Sequence, residues 1–363
     1  MNARRSQRPW AGLTLALTSL LVALAVAPAA AADGLLNPPF FPAVNSETID
    51  GRTLVWSELG AADGFPLFFA VGFPHAASTG AGALSPLDEF LRRENVRLIA
   101  FERTGATNRS TFDVDDTLDD YVADVERITA LLGVERFSVL AFSAGGPGAL
   151  AVAATFPERV RSVHLMAARG RYEDALAERT GEQADFEALI DDPLAYAPFY
   201  EFFPPPRVFL DPNDVAFLDA NFGTEFVDFY FATAIEELDQ NPEGLSASRA
   251  IGYQPWSFAL GDVVAPVFVY QGWDDTSIKA EGYAQDTAAR VGGASSVRFY
   301  PGESHFEAHL KHVDQVVLDL QTFGRRLILC VADGEGRRTE QVPVPRVARR
   351  LQEGATIGDC VWQ

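Results

Sequence analysis

The sequence predicts an α/β fold in which a mostly parallel sheet is covered by helices on both faces. Three observations carry this. Short, continuously apolar runs recur along the chain, as expected of strands buried on both sides. Segments with apolar residues at helical spacing lie between them. The 363 residues, 48% hydrophobic and 22% charged, have the usual globular balance and enough length for one large domain with an insertion, or for two domains.

Residues 1–32 read as an export signal. Arg4, Arg5 and Arg8 form a basic head, an apolar run extends from Ala11 to Pro28, and Ala29-Ala30-Ala31-Ala32-Asp33 offers small residues for cleavage. The run is close to the ~18 residues that a span needs, so an uncleaved anchor is the alternative. The small residues favour cleavage, after which no stable membrane span is expected. Arg4-Arg5 could also open a twin-arginine signal, which the flanking residues support weakly. The mature chain is expected to be secreted or periplasmic. Losing three arginines takes the formal charge from −21 to −24, an acidic excess that argues against a nucleic-acid partner. Export also places the two cysteines, Cys330 and Cys360, in an oxidising compartment, where an even count reads as one disulfide.

Strands are expected at Thr53–Leu59, Phe65–Phe73, Val96–Arg103 and Phe137–Ser143. The stretch Asp115–Gly133 is a helix: Leu118, Tyr121, Val122, Val125, Ile128, Leu131 and Leu132 repeat at helical spacing and Gly133 stops it. Further strands are expected at Val160–Ala168, Ala265–Gly272 and Ser296–Gly302, with helices at Ala280–Val291 and Phe306–Phe323. Between Arg169 and Trp256 the strand pattern stops and aromatics crowd, which predicts a helical insertion. The divisions are therefore a first core segment at 33–168, a helical cap at 169–257, a second core segment at 258–323 and a tail at 324–363. That tail reads as a strand, a polar turn, an extended piece and a short helix, too short to hold a core without a staple.

The chemistry centres on Ala141-Phe142-Ser143-Ala144-Gly145, which matches the nucleophile elbow G-x-S-x-G at four of five positions. A strand precedes Ser143 and an Ala-rich helix, Pro147–Thr155, follows. Small flanking residues suit a strained strand-to-helix turn that puts a hydroxyl on display. A phosphate loop fits poorly because no Lys follows the glycines. A nucleophilic Ser needs a base, and the base needs an acid to orient it. Both follow in the order that goes with an elbow. "YQGWDDTSI" (Tyr270–Ile278) supplies an acid at a strand end, and His305 lies just beyond the last core strand. Of the other histidines, His164 falls inside a strand and is expected in the core, while His309 and His312 are expected on the solvated face of a helix. A His305, His309 and His312 metal cluster is disfavoured because no carboxylate motif frames it.

From about Ser46 to Phe323 the sequence resembles the α/β-hydrolase superfamily. "VGFPH" (Val71–His75) resembles its oxyanion loop and "LIAFERTGATNRST" (Leu98–Thr111) its next strand and turn. "FSAGGPGALAVAATFPERVRSVHLMA" resembles its elbow, helix and following strand, and "PWSFALGDVVAPVFVYQGWDDTSI" the strand that bears the acid. The resemblance implies Ser143 as nucleophile, Asp275 as acid, His305 as base, and the backbone N–H groups of Phe73 and Ala144 as oxyanion hole. Asp275 is preferred to Asp274 because the family's acid comes three residues after the strand-ending Gly. Asp174 is a distant third choice. Departures from the pattern are Val71, His75, Thr104 and Ser304, where His, Gly, Pro and Gly are usual.

The tail resembles a small Cys-closed module of some exported bacterial proteins, through Cys330, Val342-Pro343, Leu351, Gly354, Thr356, Gly358 and Cys360. A structural role is expected of it.

The expectation is an exported serine esterase that needs no cofactor and no metal. The aromatic cap suggests a small substrate with an apolar acyl group or a ring, unless its aromatics form only the cap's own core. An aminopeptidase or amidase is the alternative. It would need carboxylates for a substrate amine, and Glu236, Glu237 and Asp239 are the candidates. A catalytically silent binding module is the remaining one.

Overall fold

The computed structural model describes residues 40–171, 187–201, 210–238, 241–279, 283–324, 326–333, 336–343 and 356–357. The signal segment, Asp174, Asp239, the tail's short helix and the pairing of Cys330 with Cys360 lie outside the described residues.

An eight-stranded sheet has the order β1-β2-β4-β3-β5-β6-β7-β8. Its strands are β1 (Val44–Ile49), β2 (Arg52–Gly60), β3 (Phe65–Ala70), β4 (Val96–Phe101), β5 (Phe137–Phe142), β6 (Val160–Met166), β7 (Val267–Gly272) and β8 (Ser295–Tyr300). Pairing is antiparallel from β1 through β2 to β4 and parallel from β4 to β8. The central strands are continuously apolar because both of their faces are covered. Phe68, Ile99 and Val139 belong to the core on one side, with Leu67, Leu98 and Leu140 on the other. Each such side chain contributes about 1.5–3 kcal/mol by leaving water.

Helices α1 (Ala77–Leu84), α2 (Asp88–Arg93), α3 (Leu118–Leu131) and α4 (Gly146–Thr155) fall between β3 and β6 in the chain and pack on the sheet. Of the α3 stripe, Leu118, Tyr121, Val122, Val125 and Ile128 are buried as their spacing predicts, whereas Leu131 is exposed and Leu132 half-buried at the helix end. Asp120 accepts the Thr117 N–H at 2.9 Å to close the first turn. Between β6 and β7 the described residues are helical, with α5 (Ala197–Tyr200), α6 (Pro212–Phe222), α7 (Thr224–Leu238) and α8 (Pro242–Ala250). Leu218 of α6 and Val227, Tyr230 and Phe231 of α7 join the same core as Phe69 and Phe142.

Where the sequence predicts a helix at Ala280–Val291, the described residues are helical from Tyr283 to Arg290, with α9 at Gln285–Arg290; residues 280–282 lie outside the described residues. The helix expected at Phe306–Phe323 is two, α10 (His305–Lys311) and α11 (Val313–Gly324), separated at His312. The tail forms its own antiparallel sheet, β10-β9-β11, from β9 (Arg326–Asp333), β10 (Gly336–Pro343) and β11 (Thr356–Ile357). No helix among the described residues is long and apolar enough to cross a membrane.

Candidate active site

The parallel strands all end on one side of the sheet, and the sequence-selected residues sit at those ends. Ser143 follows β5 directly. Its φ is +52°, a left-handed conformation that L residues avoid, and it opens a single 3-10 turn that leads into α4. The small residues beside it are required. A Cβ on Gly145 would lie 2.1 Å from the Ala70 carbonyl oxygen, and one on Gly146 would lie 1.9 Å from that of Arg169. Ala141, where the elbow pattern has Gly, is fully buried in the core, so its methyl group has room.

Asp275 follows β7 and His305 opens α10. His305 Nδ1 lies 2.8 Å from Asp275 Oδ2. The same oxygen accepts from Gln271 Nε2 at 3.0 Å, while Oδ1 accepts the N–H groups of Ser277 and Ile278 at 2.8 and 2.7 Å. Asp275 is thus locked by donors on both oxygens, and Asp274 beside it is exposed. Consecutive residues leave a strand end in different directions, and only one of the two reaches His305.

Helix α6 holds the turn that carries His305. Asp214 Oδ1 accepts from Ser304 Oγ at 2.6 Å and from the Phe306 N–H at 2.7 Å. Burial pushes the Asp214 carboxyl up, against the pull of those two bonds. Asp211 accepts from Thr276 Oγ1 at 2.8 Å, so the start of α6 grips both the acid loop and the base loop.

Ser143 and His305 open onto one cavity of about 210 Å³. Phe73, Pro74, His75, Phe142 and Phe306 line it from the core, with Leu210, Phe231, Ala234, Ile235 and Leu238 from the insertion and Ser277 beside them. No carboxylate lines it among the described residues. Among those residues, neither the Phe73 N–H nor the Ala144 N–H is taken by a protein acceptor. His75 is buried, and desolvation, helped by Arg103 and His305, lowers its pKa to about 4; it is a neutral imidazole in the wall at neutral pH.

The other histidines divide. His164 is fully buried in β6 as expected. The solvated-face expectation for His309 is corrected: it is 1% exposed and stacks on Phe142 at 4.0 Å between ring centroids. His309 lies one turn after His305 on the buried face of α10, against Phe69 and Phe142 of the sheet. His312 stacks on Tyr300 at 3.5 Å and meets Glu303 at 2.8 Å. Glu237 lies outside the cavity wall, accepting from Ser78 Oγ and, at 3.0 Å, from Arg109. Glu236 is exposed.

Sequence reasoning did not single out Arg103. It leaves the end of β4, is buried, and donates to the carbonyls of Val71, Gly72 and Ala144. Its one sequence signal is an Arg two residues past the end of an apolar strand.

Comparison with known proteins agrees with this architecture. Proline iminopeptidase from Neisseria gonorrhoeae is 32% identical over 114 residues, which are 31% of this chain and 35% of that protein. The one from Xanthomonas citri is 35% identical over 108 residues, 29% of this chain and 33% of that protein. The chain thus spans about a third of the length of the curated relatives it matches. Among solved structures, a bromoperoxidase from Bacillus anthracis matches with a TM-score of 0.58 at 17% identity, over 76% of this chain and 98% of that one. A thermophilic esterase from Thermogutta terrifontis matches at 0.55 and 18%, over 77% and 97%. These two show the fold. A family model for the alpha/beta hydrolase fold matches residues 75–307, the stretch that runs from the loop after β3 through the elbow to the His305 turn, and the chain belongs to that family.

Proposed function

We propose that this chain is a serine hydrolase that cleaves carboxylic esters with an apolar acyl group. The observation that carries the reading is one cavity that holds Ser143 and His305, has an apolar wall, and shows no carboxylate among the described residues. Ser143 attacks the ester carbonyl while His305 takes the Ser proton and returns it to the leaving alcohol. Asp275, on Nδ1, keeps the imidazole in the tautomer whose other nitrogen faces the cavity. The Phe73 and Ala144 N–H groups receive the oxyanion, commonly the largest catalytic contribution. Water then releases the acyl group by the same steps.

A second reading, an aminopeptidase, is supported by the proline iminopeptidases that match a third of their length. A substrate ammonium would need an acid in the cavity. Of the described candidates from the insertion, Glu236 is exposed and Glu237 is engaged by Ser78 and Arg109 outside the cavity.

A panel of p-nitrophenyl esters and aminoacyl p-nitroanilides separates the readings. Turnover of butyrate to octanoate esters, with little on prolyl p-nitroanilide, is expected, and the reverse preference would replace the esterase by the peptidase. A fluorophosphonate probe is expected to label Ser143, and labelling that survives Ser143→Ala would end both readings. We place the activity outside the cytoplasm on the strength of the basic head and apolar run of residues 1–32. Amino-terminal sequencing of the exported protein checks cleavage between Ala29 and Asp33.

A further inference from the structure

A buried cation without an acid partner is costly, because something must replace the water it gives up. Arg103 is such a cation. It is 7% exposed, and no carboxylate among the described residues pairs with it. Backbone replaces the water. Nη1 donates to the Val71 and Ala144 carbonyls, each at 3.3 Å, and Nη2 to the Gly72 carbonyl at 3.2 Å. The guanidinium carbon lies 5.7 Å from the Phe73 ring centre. Adjacent Glu102 does not cancel the charge by contact, since its carboxyl accepts from Thr107, Ser110 and the Ala77 N–H.

The choice of carbonyls matters. The Gly72 C=O and the Phe73 N–H are two ends of one peptide group, and in a trans peptide they point in opposite directions. Holding the carbonyl on Arg103 therefore aims the Phe73 N–H away from it. The Ser143 C=O shares a peptide with the Ala144 N–H and is held likewise, by the Arg169 N–H at 2.8 Å. Arg103 grips the next carbonyl along, that of Ala144. One side chain from β4 thus ties the exits of β3 and β5, which carry the two oxyanion donors.

We infer that Arg103 is the positioning residue of the oxyanion hole, setting the direction and spacing of the Phe73 and Ala144 N–H groups and placing positive charge behind the oxyanion. The inference rests on the serine-hydrolase reading above. Its field reaches the cavity: after burial, Arg103 is the main cause of the lowered His75 pKa. Burial brings Arg103 itself to about 10, so it stays protonated at neutral pH.

The test uses Arg103→Met and Arg103→Lys, each checked for folding by circular dichroism and melting. The readouts are kcat and KM on a p-nitrophenyl ester and the affinity for an alkyl boronic acid, which forms a tetrahedral anionic adduct on serine. Deleting a donor outright costs on the order of 10²–10³ in kcat, so displacing it in Arg103→Met is expected to cost about 10–10². KM should stay within about threefold and boronic acid affinity should fall with kcat/KM. Arg103→Lys keeps the charge but cannot span three carbonyls, and should recover part of the loss. Folded variants with unchanged kcat and boronic acid affinity, or with raised KM and intact kcat, would overturn the inference. If Arg103→Met does not fold, Arg103→Lys decides alone on the same readouts. A wild type that neither labels at Ser143 nor turns over esters overturns the serine-hydrolase reading and this role with it. A wild type that does both, beside indifferent variants, overturns Arg103 only.

Discussion

His305 and His164 make an instructive pair. Both are buried and both belong to polar networks that include an Asp, His164 within β6 and His305 at the start of α10. His164 spends both ring nitrogens, Nε2 at 2.9 Å from Ser162 Oγ and Nδ1 at 3.0 Å from Tyr270 Oη. Tyr270 passes the link to Asp319 at 2.6 Å, and Arg298 pairs with that carboxylate at 2.7 Å. Burial lowers the His164 pKa to about 3, so this imidazole is a permanent neutral strut. His305 has its carboxylate directly on Nδ1, and its ring lines a cavity. The difference teaches that a buried His-Asp network makes a base only when the acid touches one nitrogen and the other has room for a proton to arrive.

The sharpest way to break this comparison is to change the acid on His305. Asp275→Asn should favour the wrong tautomer and lower kcat by on the order of 10⁴ with the fold intact. Asp274→Asn should change kcat less than about twofold, since an exposed neighbour acts only through screened charge. Steady-state kinetics on both variants decide, and a larger loss at Asp274 would reverse the assignment. In the other network, Tyr270→Phe removes the link between His164 and Asp319. It should cost about 1–3 kcal/mol of stability, as stranded buried polar groups do, and leave kcat nearly unchanged. Chemical denaturation beside kinetics reads both quantities, and a loss of kcat without a loss of stability would make the strut catalytic.

What was legible in the sequence follows from packing. Strands β3, β4 and β5 announce themselves because both faces are buried, and Ser143 stands out because only small residues fit around it. Strand β1 was missed because four of its six positions are exposed. Helix α1 was missed because "ASTGAGAL" is small and buried nearly all round, leaving no amphipathic stripe to detect. His309 was misassigned because one periodic pattern runs through the break at His312. The place of Arg103 past an apolar strand does not reveal its partners, since its three carbonyls come from two strand exits that only the β4-β3-β5 order brings together.

A gentler perturbation uses pH. Burial brings His75 to about 4 and His164 to about 3, and takes His309 well below its ordinary value of 6.5. Folding holds these rings neutral while the unfolded chain protonates them below about pH 6.5, so the folded state binds fewer protons there. Their contribution to stability is complete above that pH and is lost as the pH falls toward the folded values, by up to about 1.4 kcal/mol per pH unit for each group. Buried carboxyls held high, such as Asp214, act in the opposite sense, so the informative quantity is a difference between variants. His309→Phe keeps the stack on Phe142 and removes one titrating ring. Its stability relative to the wild type should rise as the pH falls from 6.5 to 4.5. Denaturant midpoints that stay parallel over this range would remove His309 from the account.

The +52° φ of Ser143 has a consequence for how the protein drifts under mutation. A left-handed backbone costs an L residue roughly 1–2 kcal/mol, and glycine escapes that cost. A Ser143→Gly chain should therefore be at least as durable as Ser143→Ala, with both inert. On the proposed reading, the side chain that would carry the chemistry is the one that thermodynamics disfavours here, so random change would tend to trade activity for robustness.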